Sequence, residues 1–535
     1  MSIRVSNLRL GLDEPEQALG AHIAHALGLS RDDLPPWRLL RKSLDARVKD
    51  DLCFVYTVLV AECADEPRVL AHARSGACRI ERYEEPAFVM PPTGSRPLTQ
   101  PPVVVGSGPA GLVAGYFLAE RGYKPIVIER GKRVRERIHD VHGFDAGGPF
   151  DPESNYLFGE GGAGTFSDGK LTCRGSGPEV RRVLELFAEC KGKPSILYDY
   201  RPHLGSNRLP AVVKAIRRRI EALGGEIRFS CRMEDIDIAD GRMRGLATSS
   251  GYVPASVVLL AIGHSARDTL AMLHRRGVPM IRKAFQFGIR IEQPQDTVNR
   301  VQYGPTRLEE KLGAADYTLV ARGPHDLFSF CMCAGGNVIP SVSEAGFFCT
   351  NGMSLSKRDS PFANSGLVVT IPEKAFGDSD VLAGVRLQQE YERRAYELGR
   401  GEYRCPIQSA HDFLQGRRTT TLPPSSYPRG LVQADLADLV PPLVRKSLLH
   451  GLPILDRRWR GRFLANATLV GPESRGSCPV RLVRDSASRE STGVIGLYPV
   501  GEGAGFAGGI VSAAVDGLRS AMAVSARFAP LQERR

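Results

Sequence analysis

Gly106, Gly108 and Gly111 have the clearest chemical meaning in this chain. They lie in Gly106-Ser107-Gly108-Pro109-Ala110-Gly111, directly after the apolar run Val103-Val104-Val105 and before a helix-forming stretch, Leu112 to Arg121, that Gly122 closes. A strand turning this way into a helix leaves the first N–H groups of the helix unpaired and its positive end open, which suits a pyrophosphate. Gly106 permits the tight turn, Gly108 lets the backbone approach the phosphates, and Gly111 lets the helix lie on the strand. A second strand, Ile126-Val127-Ile128, ends at Glu129, whose carboxylate can accept hydrogen bonds from ribose hydroxyls and disfavours a 2′-phosphate there. Ser107, Pro109, Ala110 and Arg130 complete the residues expected around a dinucleotide.

A second glycine turn closes the chain: Leu497-Tyr498-Pro499-Val500 runs into Gly501-Glu502-Gly503-Ala504-Gly505-Phe506-Ala507-Gly508-Gly509-Ile510. It resembles the second fingerprint of the large flavoprotein superfamily that includes glutathione reductase and the succinate dehydrogenase flavoprotein. The resemblance implies FAD, with the acid of the turn, here Glu502 where many relatives carry Asp, bonding the ribityl chain. It also implies that the following helix faces the flavin pyrimidine. The run Val257-Val258-Leu259-Leu260-Ala261-Ile262-Gly263 matches the superfamily's strand ending in a glycine beside the cofactor. The cofactor residues expected here are Gly263, Gly501, Glu502, Gly503, Gly508, Gly509 and Ile510. The glycine-rich loop at 159–170 adds Gly161, Gly162, Ala163, Gly164, Thr165, Asp168, Gly169 and Lys170, whose N–H groups can line the pyrophosphate or the flavin ring; a merely flexible loop is the alternative.

If FAD carries the redox step, the protein needs no catalytic triad, and neither a triad nor a set of metal ligands is found. Cations near the reduced flavin would stabilise its negative charge. Arg290, Arg475, Ser477 and Arg481 are the catalytic candidates; His264, Lys357 and Arg358 could also meet a substrate. Cys331 and Cys333 are expected on one face of a strand as core thiols. No second complete GxGxxG is present, so NAD(P)H is expected, if at all, as a transient electron donor.

The elements that position these residues read as an α/β protein. It combines a Rossmann-like FAD-binding domain with an inserted, mainly antiparallel substrate domain and an N-terminal ferredoxin-like α/β module. Residues 1–90 form the module: Ile3 and Val5 open a strand, Asp13-Glu14-Pro15-Glu16 reads as a capping box before helical Leu19, Ile23, Ala26 and Leu27, and Phe54 to Val60 is a strand. Residues 91–102 are a proline-rich linker. Residues 103–280 and 491–535 are the two parts of the FAD-binding domain. Residues 281–490 are the cap, where Ile281 to Ile291 alternates as a half-buried strand should and Leu327 to Cys333 and Leu367 to Ile371 read similarly.

Nearly the whole chain resembles a group of bacterial and plastid FAD-dependent dehydrogenases, the NAD(FAD)-utilising dehydrogenases. The resemblance rests on Arg41-Lys42-Ser43-Leu44-Asp45-Ala46-Arg47, on Phe158 to Leu171, on Ser329-Phe330-Cys331-Met332-Cys333, and on Asn351 to Ser354 with Lys357 to Asn364. It implies FAD and a dehydrogenase or reductase role, and supplies no defined substrate. Where relatives read Glu-Thr-Arg-Thr-Ser-Ser-Pro-Val-Arg, this chain has Glu473-Ser474-Arg475-Gly476-Ser477-Cys478-Pro479-Val480-Arg481.

Of 535 residues 42% are hydrophobic, and the formal charge is +12 with the basic residues spread along the chain. Without a basic patch interleaved with aromatics, nucleic acid is not the expected partner. A small-molecule substrate is. The eleven cysteines form no CxxC pair, and with no apolar run of membrane-spanning length and no signal-like start, a cytoplasmic protein is expected. The oligomeric state is not legible. The first expectation is hydride transfer between flavin N5 and a small organic molecule; an FAD-dependent tRNA-modifying enzyme and a non-catalytic flavin-binding scaffold are the alternatives.

Overall fold

A computed structural model describes residues 2–61, 66–72, 78–173, 175–305, 309–377 and 379–531. The amino-terminal residues run strand, helix, strand, strand, helix, strand. They build a four-stranded antiparallel sheet in the order Trp37–Asp45, Cys53–Val60, Ile3–Gly11, Arg79–Arg82. Ile3, Val5, Tyr56 and Val58 alternate onto one face and bury against Leu19, Ile23 and Leu27 of helix Leu19–Leu27. The capping box expected at 13–16 does not form. A short 3-10 turn, Glu16–Ala18, comes first and the helix starts at Leu19 without a side-chain cap. The Glu16 carboxylate is drawn instead to Lys42 and the Tyr56 hydroxyl on the sheet.

The short, wholly apolar runs become buried parallel strands, as expected of strands covered on both faces. The order is Leu497–Pro499, Val258–Leu260, Val103–Val105, Ile126–Ile128, Glu226–Arg228, all parallel. Helices Pro109–Glu120, Pro178–Glu189, Leu209–Ala222 and Ile510–Arg527 share one core with this sheet. The proline-rich segment is laid along this unit: Arg96–Pro97 pairs with Phe528–Ala529, and Arg121 Nη2 donates to the Pro91 carbonyl at 3.0 Å.

Between strands Val258–Leu260 and Leu497–Pro499 the chain builds a seven-stranded sheet. Its order is Val320–Ala321, Leu327–Cys333, Phe362–Ile371, Phe285–Pro294, Thr468–Glu473, Cys405–Ser409, Leu431–Gln433, antiparallel except for the last pair. The chain enters through Met280–Arg282 and leaves through Val480–Leu482, which pair with each other. Two strand expectations are corrected here. The run from Ile281 to Ile291 breaks at Lys283-Ala284, because Lys283 N bonds the Pro479 carbonyl while Phe285–Pro294 turns into the large sheet. That strand is buried on both faces, so its polar residues Arg290 and Glu292 lie in the interior. Among the described residues no helix is long and apolar enough to cross a membrane.

Candidate functional site

The two glycine turns, distant in sequence, meet. Gly106 has φ +101°, and a Cβ there would sit 2.4 Å from the Ala261 carbonyl oxygen on the neighbouring strand. A Cβ on Gly503 would lie 2.5 Å from the Gly263 carbonyl oxygen, so the carboxy-terminal turn rests directly on the end of strand Val258–Leu260. The glycine-rich loop joins them through Gly161 N, which donates to the Ser107 carbonyl at 2.9 Å. That loop is not a loose connection. Arg137, fully buried, donates to the carbonyls of Asn155, Glu160 and Gly162 at 2.7, 2.9 and 2.8 Å. Burial pushes its pKa down to about 9, with Glu129 and Glu160 opposing.

These elements enclose a cavity of about 520 Å³. Gly106, Gly108, Pro109, Ala110, Glu129 and Arg130 line it, as do Gly162, Ala163, Gly164, Asp168, Gly169, Lys170, Gly263, Glu502, Gly508, Gly509 and Ile510. Ser107, Gly111, Gly161, Thr165, Gly501 and Gly503 stand behind the wall and shape it: the Thr165 hydroxyl donates to the Glu160 carbonyl at 2.9 Å, and Gly501 N to Asp516 at 2.8 Å. Glu129 receives Ser107 N and Oγ on one oxygen (2.9 and 2.7 Å) and Gly131 N and Gly159 N on the other (2.9 and 3.0 Å). It therefore ties three backbone segments together besides facing the cavity.

Three of the four catalytic candidates are not on the wall. Arg290 lies wholly inside the large sheet, paired with Glu473 at 2.9 Å and donating to Asn364 at 2.8 Å. Arg481 points outward because Val480 and Leu482 take the buried side of their strand, and its guanidinium lies 5.4 Å from the Phe506 ring. Ser477 accepts Gln286 N at 3.3 Å, away from the cavity. Arg475 does line it. Its Nη2 sits 2.7 Å from Glu392, which also holds Arg267 at 2.7 Å, all three buried. Burial alone would raise the Glu392 pKa, but the two guanidiniums outweigh it and hold the carboxylate ionised.

His264 lines the cavity and is half-buried, its open side facing the cavity. Burial, then Arg475 and Arg267, bring its pKa down to about 3, so the ring is neutral. Cys331 and Cys333 do not share a face. Cys331 has φ +43° where the strand pairing shifts register, which leaves its thiol open to the cavity while Cys333 is buried. Burial raises the Cys333 thiol pKa. Arg358 lines the cavity and Lys357 does not. Sequence reading also missed the part played by the amino-terminal unit. Lys42 N donates to the Tyr198 carbonyl and Tyr200 N to the Lys42 carbonyl, at 2.7 and 2.9 Å, which holds the segment leading to cavity residues Arg201 and Pro202. The resemblance at 41–47 pointed to this stretch without saying what it touches.

Do these residues fit FAD? Two observations say so. Helix Pro109–Glu120 starts at Gly108 with no side-chain cap, leaving its first N–H groups available at the cavity. Glu502 accepts Cys478 N on Oε1 at 3.0 Å, while its Oε2 is buried and has no partner among the described residues, and burial pushes its pKa up to about 7. A buried acceptor without a donor is costly, and a ligand hydroxyl would satisfy it.

Comparison with known proteins agrees. Residues 284–476 match a family profile described as FAD-dependent protein, C-terminal domain-like; residues 104–162 match an NAD(P)-binding Rossmann-like domain, and residues 2–61 a domain of unknown function. An uncharacterized protein of Clostridium beijerinckii is 41% identical over 533 residues, covering 99% of each chain. The chain belongs to the same family as this relative, and its residues 284–476 are those of an FAD-dependent protein's C-terminal domain. Solved structures with similarity include glycine oxidase from Geobacillus kaustophilus (12% identity, 81% of this chain and 96% of that one, TM-score 0.36). L-proline dehydrogenase from P. horikoshii is another (11%, 80% and 93%, TM-score 0.31). Likeness at that level says nothing about the substrate of this chain.

Proposed function

We propose that the chain transfers a hydride between FAD and a small organic molecule held in the same cavity. We further propose a glutathione reductase-like arrangement: a Rossmann-like FAD domain from 103–280 and 491–535, a cap from 281–490, and a ferredoxin-like module at the amino terminus. The observation that supports this reading is the continuity of one cavity. It runs from the glycine turns and Glu129, past Gly263, His264 and Glu502, to Phe330, Cys331, Asn351 and Arg358 on the large sheet and its flanking hairpin.

FAD bound there supplies hydride transfer at flavin N5. The residues of the chain do the rest. The uncapped helix start at 108–110 would receive the pyrophosphate and Glu502 Oε2 a ribityl hydroxyl. Arg475 is a fixed cation at the cavity wall whose position Glu392 sets, so it would offer a bound flavin a positive group that need not reorganise. Neutral His264 offers a donor or acceptor at the cavity wall without adding charge. The cap strands shut out bulk water and shape the substrate end.

The test is anaerobic photometry of the FAD-loaded protein against NADH, NADPH and a metabolite panel. Bleaching of the visible band by one donor, and its return with an acceptor, is the expected result. A protein that stays oxidised against every donor is a scaffold and not an enzyme of this kind.

A further inference from the structure

Six cationic side chains line the cavity, and five of them sit close against a carboxylate. Arg130 lies 2.7 Å from Glu153, Lys170 2.7 Å from Asp168, Arg232 2.7 Å from Glu153 and Arg475 2.7 Å from Glu392; Arg201 is paired with Asp316. Arg358 is different. Its nearest carboxylate is Asp168 at 3.8 Å, its Nε is buried without a partner, and among the described residues its side chain makes no hydrogen bond.

A turn places this arginine at the cavity wall. Arg358 has φ +55°, a left-handed conformation that non-glycine residues rarely adopt, closing a turn through its N–H to the Leu355 carbonyl at 3.0 Å. Asp168, the group that could neutralise it, is committed elsewhere: to Lys170, and to Ser354, whose hydroxyl donates to it and also meets His203 Nε2 at 3.0 Å. Burial keeps His203 neutral. Lys170 and Arg358 thus share one carboxylate, Asp168, on the wall of a cavity that Phe330, Cys331 and Met332 also line.

We propose that Arg358 binds the carboxylate of the substrate, so that this enzyme takes monoanionic carboxylates with an apolar body. This deepens, and rests on, the functional reading above. A planar guanidinium presents paired N–H donors matched to a carboxylate, and the neighbouring Asp168 carboxylate suits a monoanion better than a phosphate dianion.

The test titrates the FAD-loaded full chain with sodium benzoate, sodium acetate, neutral benzamide and inorganic phosphate, reading the visible flavin band. A saturable shift is expected with benzoate or acetate, weaker with benzamide. Arg358→Met is expected to weaken the carboxylate by tenfold to about a hundredfold, with Arg358→Lys between it and the parent. FAD affinity should stay as in the parent in both variants, which shows that they fold. The proposal is overturned if neither carboxylate produces a shift, if benzamide binds as well as benzoate, or if phosphate alone responds. It is overturned equally if Arg358→Met loses FAD, which would put the arginine in the cofactor site. Should the parent protein bind no FAD, the functional reading fails by itself. Calorimetry of benzoate on the FAD-free chain then decides this proposal separately: heat that depends on Arg358 keeps it, and its absence removes it.

Discussion

Replacing Glu502 by glutamine separates two effects that a merely structural role would not separate. In the FAD-free protein burial raises this carboxyl from the ordinary 4.5 to about 7. At 1.36 kcal/mol per unit, that is an upper bound of about 3 kcal/mol that the ionised form costs the fold. The sign follows from linkage. A pKa raised on folding stabilises below the unfolded value and loses that contribution as pH rises through the folded one, here between about 4.5 and 7. Glutamine cannot ionise, so Glu502→Gln without FAD should gain melting temperature over the parent at a pH of about 8.5 and gain little at about 5. FAD should offset that gain. A hydroxyl donating to the ionised Oε2 is worth about 1.5 to 3 kcal/mol, so the variant should bind FAD roughly tenfold to a hundredfold more weakly at alkaline pH. Differential scanning fluorimetry reads the first effect and quenching of FAD fluorescence the second. A melting difference that does not change with pH, together with unaltered FAD affinity, would refute the reasoning.

Two other substitutions probe the frame. Gly503→Ala places a Cβ 2.5 Å from the Gly263 carbonyl oxygen and must push the turns apart. It should lower FAD affinity more than tenfold in a chain that still melts cooperatively, roughly 1 to 3 kcal/mol less stable. Glu392→Gln leaves buried Arg267 and Arg475 without their shared carboxylate. A loss of about 3 to 5 kcal/mol is expected in denaturant unfolding, and an unchanged midpoint would contradict the network.

The glycine turns at one end of the cavity were legible in the sequence because their requirements are local. Gly106 must adopt a positive φ, and the three apolar residues before it must be a strand with a helix behind. The far end of the cavity was read less well, because nearness in sequence stood in for nearness in space. Arg475 and Arg481 flank the same short segment, yet strand alternation turns Arg481 outward and Glu392, on a distant helix, turns Arg475 in. Arg290 looked polar on a half-exposed strand; the layers covering both faces of that strand, invisible from its own residues, bury it with Glu473. Arg137 carried no signal, since its partners are backbone carbonyls of a loop that any sequence could present. The register shift that separates Cys331 from Cys333 depends on strand Phe362–Ile371, not on the cysteines.

The claim beneath all of this is that the two glycine turns grip one FAD. The measurement is the visible spectrum and flavin stoichiometry of the purified chain after incubation with FAD and removal of the excess. About one FAD per chain, with an absorbance band shifted from that of free flavin, is the predicted result. A colourless protein that takes up no FAD even at high concentration would contradict it.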